Sequence, residues 1–400
     1  MKAQIDGTFA TARSRFLERG FRPFFLAAAI WAAVAIPVWV GALSLGMRIP
    51  SHLAPHDWHI HEMIFGYVAA VVAGFLLTAV PNWTGRLPVA GRPLAALLSL
   101  WMAGRVALAV SALLPASFAP LFAATVDAAF LVALSAVAWR EVAAGRNIRN
   151  LPICGLVTLL AAANIGFHVA ALSDGDTGLF QRLALAVIAA LIILVGGRIV
   201  PSFSRNWMVK AGVQRLPASF DSFDKVAMAL SVAALLGWVG YPETIGGAAL
   251  FAGGAAVLAV RLLRWRGWTT VGDPLVLILH VGYAWLPVWC GLMAIHGFFP
   301  DAIDNSTAMH ALTAGATGTM TIAVMTRASL GHSGRPLIAD PLTCTVYVLV
   351  VFGAIARISA QFLPLDYVSA VSMAGLLWSG GFGLFAVGYG PMLLGFGSRA

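Results

Sequence analysis

The chain has 400 residues, 60% of them hydrophobic and 10% charged, with a formal net charge of +9; soluble domains carry about 25% charged residues. This balance, with a mean hydropathy of +0.88, excludes a string of soluble domains and predicts an all-α, polytopic membrane protein. About twelve spans of roughly 20 residues would take most of the length, and the positive charge then reads as loop charge that sets topology, so no nucleic acid is expected as a partner.

In chain order, residues 1–23 carry five basic residues and no small-residue cleavage site, and are expected to be a retained cytoplasmic tail. Apolar runs broken by Gly, Pro and charge predict spans over 24–43, 59–80, 94–114, 119–139, 152–172 and 180–200. Six more follow over 224–241, 244–263, 274–296, 307–326, 341–360 and 367–391. Counting Lys and Arg on alternate connections puts 21 of the 25 on the side of the tail. Asp57, Asp174, Asp176, Glu243, Asp301, Asp304 and Asp366 fall on the other. Twelve spans with both termini cytoplasmic satisfy that asymmetry, and an odd number would scramble it. Residues 1–400 are read as a single transmembrane helical domain. Spans two, six and ten end in related text, at Leu77-Thr-Ala-Val-Pro-Asn-Trp83, Arg198-Ile-Val-Pro-Ser-Phe203 and Met325-Thr-Arg-Ala328. A four-helix unit repeated three times would explain the likeness, and so would chance.

No G-x-x-x-x-G-K-[ST] loop occurs, so nucleotide-driven transport has no support. Cys154, Cys290 and Cys344 stand alone in apolar runs, which leaves neither a disulfide framework nor a covalent C-x-x-C-H haem site. Arg105, Asp127 and Arg357 fall inside spans, where a charge costs at least about 2.5 to 3.5 kcal/mol unless paired. Arg105 and Asp127 sit at similar depth and are expected to form a salt bridge, either as a structural pair or as part of a site. Near the outer end of span eleven, Arg357 either snorkels to the interface or clamps an anionic cofactor group.

Histidine is the commonest metal ligand and is awkward in lipid, so the nine imidazoles carry the most information. His52, His56, His59, His61, His168, His296 and His310 all fall at or near the outer ends of spans. Only His280 and His332 do not; His332 is read as part of a basic, Gly-rich cytoplasmic loop from Arg327 to Arg335. Convergence on one membrane face is what a metal or haem site requires, while each histidine taken alone could simply satisfy backbone groups. Helical spacing puts His56 and His59 on one face and points His59 and His61 apart, toward different partners. Asp57 and Glu62 are placed to orient imidazole N–H groups. His168 shares a face with Asn164, one turn earlier. Small residues follow His310, which suits a flat ring or a close helix equally.

From His61-Glu-Met-Ile-Phe-Gly-Tyr67 through Gly74-Phe-Leu-Leu-Thr-Ala-Val-Pro-Asn-Trp-Thr-Gly85 the chain resembles the NnrS family of haem- and copper-containing integral membrane proteins. Arg19-Gly-Phe-Arg-Pro-Phe-Phe25, Gly197-Arg-Ile-Val-Pro-Ser-Phe203, Gly282-Tyr-Ala-Trp285 and the Met-Thr-Arg-Ala-Ser-Leu-Gly-His-Ser-Gly-Arg run ending at Arg335 carry it further. The resemblance implies haem b and copper, nitric oxide as the small-molecule partner, and a role in nitric oxide metabolism or protection from nitrosative stress in denitrifying and related bacteria. A multi-pass place in the bacterial inner membrane follows. By matching position it offers His59, His61, His310 and His332 as ligand candidates, with His168 and His280 less firmly. There is also a fold-level analogy to haem-copper oxidases and their nitric oxide reductase relatives, whose haem histidines lie on helices two and ten, as His61 and His310 do here. Span six lacks a histidine, and fold analogy cannot carry function by itself.

The leading expectation is a haem and copper membrane protein that binds nitric oxide and transforms it, as a nitric oxide reductase-like oxidoreductase fed by an outside electron donor. His61 and His310 are expected as haem axial ligands, and His56, His59 and His168 as copper ligands. Arg357 or Arg105 is expected to hold a propionate, and Glu62, then Asp127, to relay protons. A twelve-helix secondary transporter and a non-catalytic nitric oxide buffer or protector of metal centres are the rivals.

Overall fold

The computed structural model describes residues 15–396, so the tail before residue 15, with Lys2 and Arg13, and the terminal Arg399 lie outside the described residues. Within them the chain is helical throughout, with no strand. Its twelve long helices are α1 (Phe21–Leu45), α2 (Pro55–Thr84), α3 (Arg92–Leu113), α4 (Ala119–Ala144), α5 (Ile148–Leu172) and α6 (Gly178–Lys210). They continue as α7 (Ser222–Gly240), α8 (Ile245–Arg264), α9 (Pro274–Phe298), α10 (305–332), α11 (Pro341–Phe362) and α12 (Tyr367–Leu393).

Eleven of these are long and apolar enough to cross a bilayer. The exception, α10, is diluted by Thr313, Thr317, Thr319, Thr321 and Thr326, hydroxyls that a helix in lipid tolerates by bonding back to its own carbonyls; Thr321 Oγ1 does so to Thr317 O at 2.7 Å. Two helices outrun their apolar text. α6 continues past Arg198 and Pro201 to Lys210, and α10 continues to His332, so Arg327 to His332 is helix and not the expected loop. Neither meets a residue of left-handed backbone until Gly212 (φ 71) and Gly334 (φ 72), and the chain turns there.

Spans two, six and ten share a second property. Each contains a π-helical stretch, at Glu62–Val68, Ile192–Gly196 and Ala311–Thr317. A π turn breaks the i→i−4 pattern and opens its carbonyls to further donors. A side chain donates to one carbonyl of each: Trp101 Nε1 to Gly66 O at 2.9 Å, Arg261 Nη1 to Ile193 O at 3.3 Å, and Trp378 Nε1 to Ala314 O at 3.1 Å; the first two carbonyls also accept a backbone N–H, from Ala69 and Gly197.

The described residues divide into two compact units, one of residues 15–184, 325–336 and 382–396, the other of 185–324 and 337–381. In the first, Phe21, Phe24 and Phe25 of α1 are wholly buried, and α3, α4 and α5 pack in sequence behind α2. In the second, α8 lies along α9, with Trp238, Phe251 and Trp289 stacked edge to face at 5.3 to 6.2 Å between ring centres.

Candidate metal centre

The site of the first unit begins at the entry to α2. Pro55 occupies the first helical turn, where its missing N–H costs nothing, and Thr177 Oγ1 donates to Asp57 Oδ1 at 3.0 Å. His56 and His59 face Trp39, with the His59 ring stacked on it at 4.8 Å. His61 turns the other way into the bundle, where its exposure is 0%.

There His61 meets α4 and α5. Its Nε2 lies 3.2 Å from His168 Nε2 and 3.1 Å from Asp127 Oδ2, and His168 Nε2 lies 2.9 Å from the same oxygen. Asn164 Nδ2 donates to Asp127 Oδ2 at 2.9 Å. His61 Nδ1 faces Glu62 Oε1 at 3.2 Å; with its proton there, the Nε2 lone pair is left pointing at the other two donors. Arg105 stands between the carboxylates, giving Nη1 to Glu62 Oε2 at 2.7 Å and Nη2 to Asp127 Oδ1. The expected Arg105–Asp127 pair therefore forms, and Glu62 completes it. Glu62 is not at an open rim: it is 1% exposed, at the start of the π turn.

His61, Asp127 and His168 are the group that can hold a metal ion among the described residues. Bonds of about 2.0 to 2.1 Å at angles between octahedral and tetrahedral separate neighbouring ligand atoms by about 2.9 to 3.4 Å, and the three separations here fall in that band. Charge points the same way. One guanidinium faces two carboxylates, so with neutral imidazoles the buried group has one negative charge in excess, which apolar surroundings disfavour without a cation.

Gly66 supplies the space. A Cβ there would lie 2.7 Å from Arg105 Nη1, 2.7 Å from Trp31 Nε1 and 2.9 Å from Glu62 Oε2. Gly66→Ala is expected to displace the Arg105–Glu62 pair and to destabilise by about 1 to 3 kcal/mol as overpacking, read as a lower unfolding temperature together with weaker metal retention. A stable variant with full metal retention would show that the pair has room to move.

His52 is tied to α3 through Ser111 Oγ, which accepts its backbone N–H at 2.8 Å and lies 2.9 Å from its Nδ1. Burial, reinforced by the His168 and His61 imidazoles, lowers its pKa to about 4 from 6.5. As pH falls from 6.5 toward 4 the unfolded chain takes up a proton that the folded chain refuses, so stability is lost across that window and levels off below it. Partial exposure keeps the amplitude small. His52→Gln should flatten that limb of a plot of unfolding temperature against pH.

The remaining candidates have other partners. His332 bonds Arg19 Nη1 at 3.3 Å and packs on Phe21, whose N–H donates to Thr78 Oγ1, and Thr78 is about 25 Å along α2 from His61. In the second unit His310 Nδ1 lies 2.7 Å from Ser306 O, His280 Nε2 lies 2.6 Å from Ser204 Oγ, and His296 Nδ1 lies 2.8 Å from Ile303 O. Arg357 is in that unit as well, 8% exposed. Sequence reasoning misses Trp31, Trp101 and Gly66, which look like ordinary core, and it places Arg261 in a connection. Instead Arg261 is 1% exposed and ion-paired to Asp224 at 2.8 Å.

The family model described as NnrS protein matches residues 15–396, nearly the whole chain. No curated protein matches it.

Proposed function

Since the chain belongs to the NnrS family, we propose that it is a membrane metalloprotein that binds nitric oxide and transforms it, protecting a bacterial cell from nitrosative stress at its inner membrane. What carries this reading is the meeting of two imidazole nitrogens and a carboxylate oxygen, 2.9 to 3.2 Å apart and shielded from water. Such a donor set suits copper or non-haem iron, and the family favours copper.

Copper bound there supplies a redox-active centre with affinity for nitric oxide. The chain supplies the rest. Glu62 orients His61 through Nδ1, Arg105 and Asn164 fix Asp127, and Glu62 Oε1 is the atom beside His61 at which a proton can be held or passed. Phe65 and Phe167 flank the His61 ring at 5.1 and 5.4 Å; nitric oxide, being small and neutral, can cross such a lining without a polar channel. His61 and His168 face each other at 3.2 Å, so both would hold an ion bound there. We therefore assign His61 to the ion and His310 to haem b, its Nδ1 steadied by the Ser306 carbonyl at 2.7 Å.

The transporter reading draws support from the broken helix at Glu62–Val68 and the charges buried beside it. Metal analysis and absorption spectra of the detergent-purified protein separate the two. We expect copper with haem, and selective loss of copper in His168→Ala; a colourless preparation lacking both metals would leave the transporter. Anaerobic consumption of nitric oxide with a chemical reductant then tests transformation, and stoichiometric binding without turnover would reduce the role to buffering.

A further inference from the structure

Three arginines are buried inside the helices of the described residues: Arg105, Arg261 and Arg357, at 4%, 1% and 8% exposure. Two of them carry their counter-ions. Arg105 holds Glu62 and Asp127, and Arg261 holds Asp224. Arg357 forms no ion pair among the described residues. Its Nη2 donates to Ser306 Oγ at 2.8 Å, the Tyr367 ring lies 5.9 Å from its guanidinium carbon, and its Nη1 is buried without a hydrogen-bond partner. The Tyr367 side chain also hydrogen-bonds it, and Asp304 acts on it at a distance. Snorkelling does not account for a guanidinium enclosed to this degree, since a snorkelling side chain ends in water.

We propose that Arg357, with the Ser306 hydroxyl, binds an oxyanion group, a carboxylate or phosphate, that comes from outside the chain and takes the place Asp127 and Asp224 fill for the other two arginines. A planar fork of N–H donors matches two oxygens of such a group, and exposed Ser306 and Tyr367 leave it a way in. Ser306 also holds His310 through its carbonyl, so the anion lies next to the residue assigned to haem. The inference rests on that assignment only for the source of the oxyanion, which is either a cofactor carboxylate or a lipid headgroup phosphate.

The test uses the full chain in detergent, stripped of lipid, with unfolding temperature followed while haemin, phosphatidylglycerol or inorganic phosphate is added separately. We expect at least one probe to raise the wild-type unfolding temperature saturably, with the rise lost in Arg357→Gln and partly kept in Arg357→Lys. Response to haemin alone identifies a cofactor carboxylate, and response to the lipid identifies a headgroup. Equal responses of wild type and Arg357→Gln to every probe overturn the proposal. Should Arg357→Gln fail to fold, Ser306→Ala decides: it should raise the half-saturating probe concentration about tenfold, and an unchanged value overturns the proposal. Copper content is read in parallel. Its absence counts against the His61 site and leaves Arg357 untouched.

Discussion

Asp127→Asn is expected to strip the metal from the purified protein and to lower its unfolding free energy by about 3 to 5 kcal/mol, the usual cost of breaking a buried ion pair from one side. Asp127 Oδ2 is the point where His61, His168 and Asn164 converge, at 2.9 to 3.1 Å, and Oδ1 faces Arg105. An amide in its place offers a neutral oxygen to the ion and leaves Glu62 as the sole counter-charge of a guanidinium that is 4% exposed. Both losses follow from one atom pair, and a second variant separates them. Arg105→Met combined with Glu62→Gln and Asp127→Leu removes the buried charges together and should recover much of the stability, while the metal stays lost. Elemental analysis and denaturant unfolding read the two effects. Full copper content in Asp127→Asn would reject its role as a ligand, and unchanged stability would reject the ion pair.

The spans are legible in the sequence because bilayer thickness imposes runs of about 20 apolar residues, and those runs locate all twelve helices, including the threonine-rich α10. Equal depth in neighbouring spans is enough to pair Arg105 with Asp127, and one turn of helix is enough to put Asn164 beside His168. What does not show is where these pairs meet. His61 and His168 lie 107 residues apart in the chain, and only the packing of α2 against α5 decides that they share an oxygen of Asp127. Glu62 is buried at the start of a π turn, which has no hydropathy signature. Trp101 reads as core because its indole faces an ordinary helical position, yet its Nε1 donates to Gly66 O. Arg261 was open to better reading: Asp224 opens α7 and Arg261 closes α8, so antiparallel neighbours bring them level.

That second pair predicts the other large effect. Arg261→Met is expected to destabilise by about 3 to 5 kcal/mol, because it leaves the Asp224 carboxylate, 4% exposed, with Arg264 Nη1 at 3.5 Å as its only remaining cation. More than charge is lost. Arg261 Nη1 also donates to Tyr283 OH at 2.9 Å and to Ile193 O at 3.3 Å, and the latter closes the π segment of α6. Its guanidinium carbon lies 5.3 Å from the Trp265 ring. Lysine cannot reproduce a planar fork that reaches a carboxylate, a phenol and a carbonyl at once, so Arg261→Lys should recover only part of the loss. If Arg261→Lys unfolds with wild type, charge alone is what the site requires. Trp101→Phe and Trp378→Phe remove the equivalent donors from Gly66 O and Ala314 O, with a cost of about 0.5 to 1.5 kcal/mol at Gly66 O, which keeps the Ala69 N–H, and about 1 to 3 kcal/mol at Ala314 O. These smaller losses, with the larger one at Arg261, are what side-chain capping of all three π turns requires; thermal unfolding of the three variants side by side is the measurement.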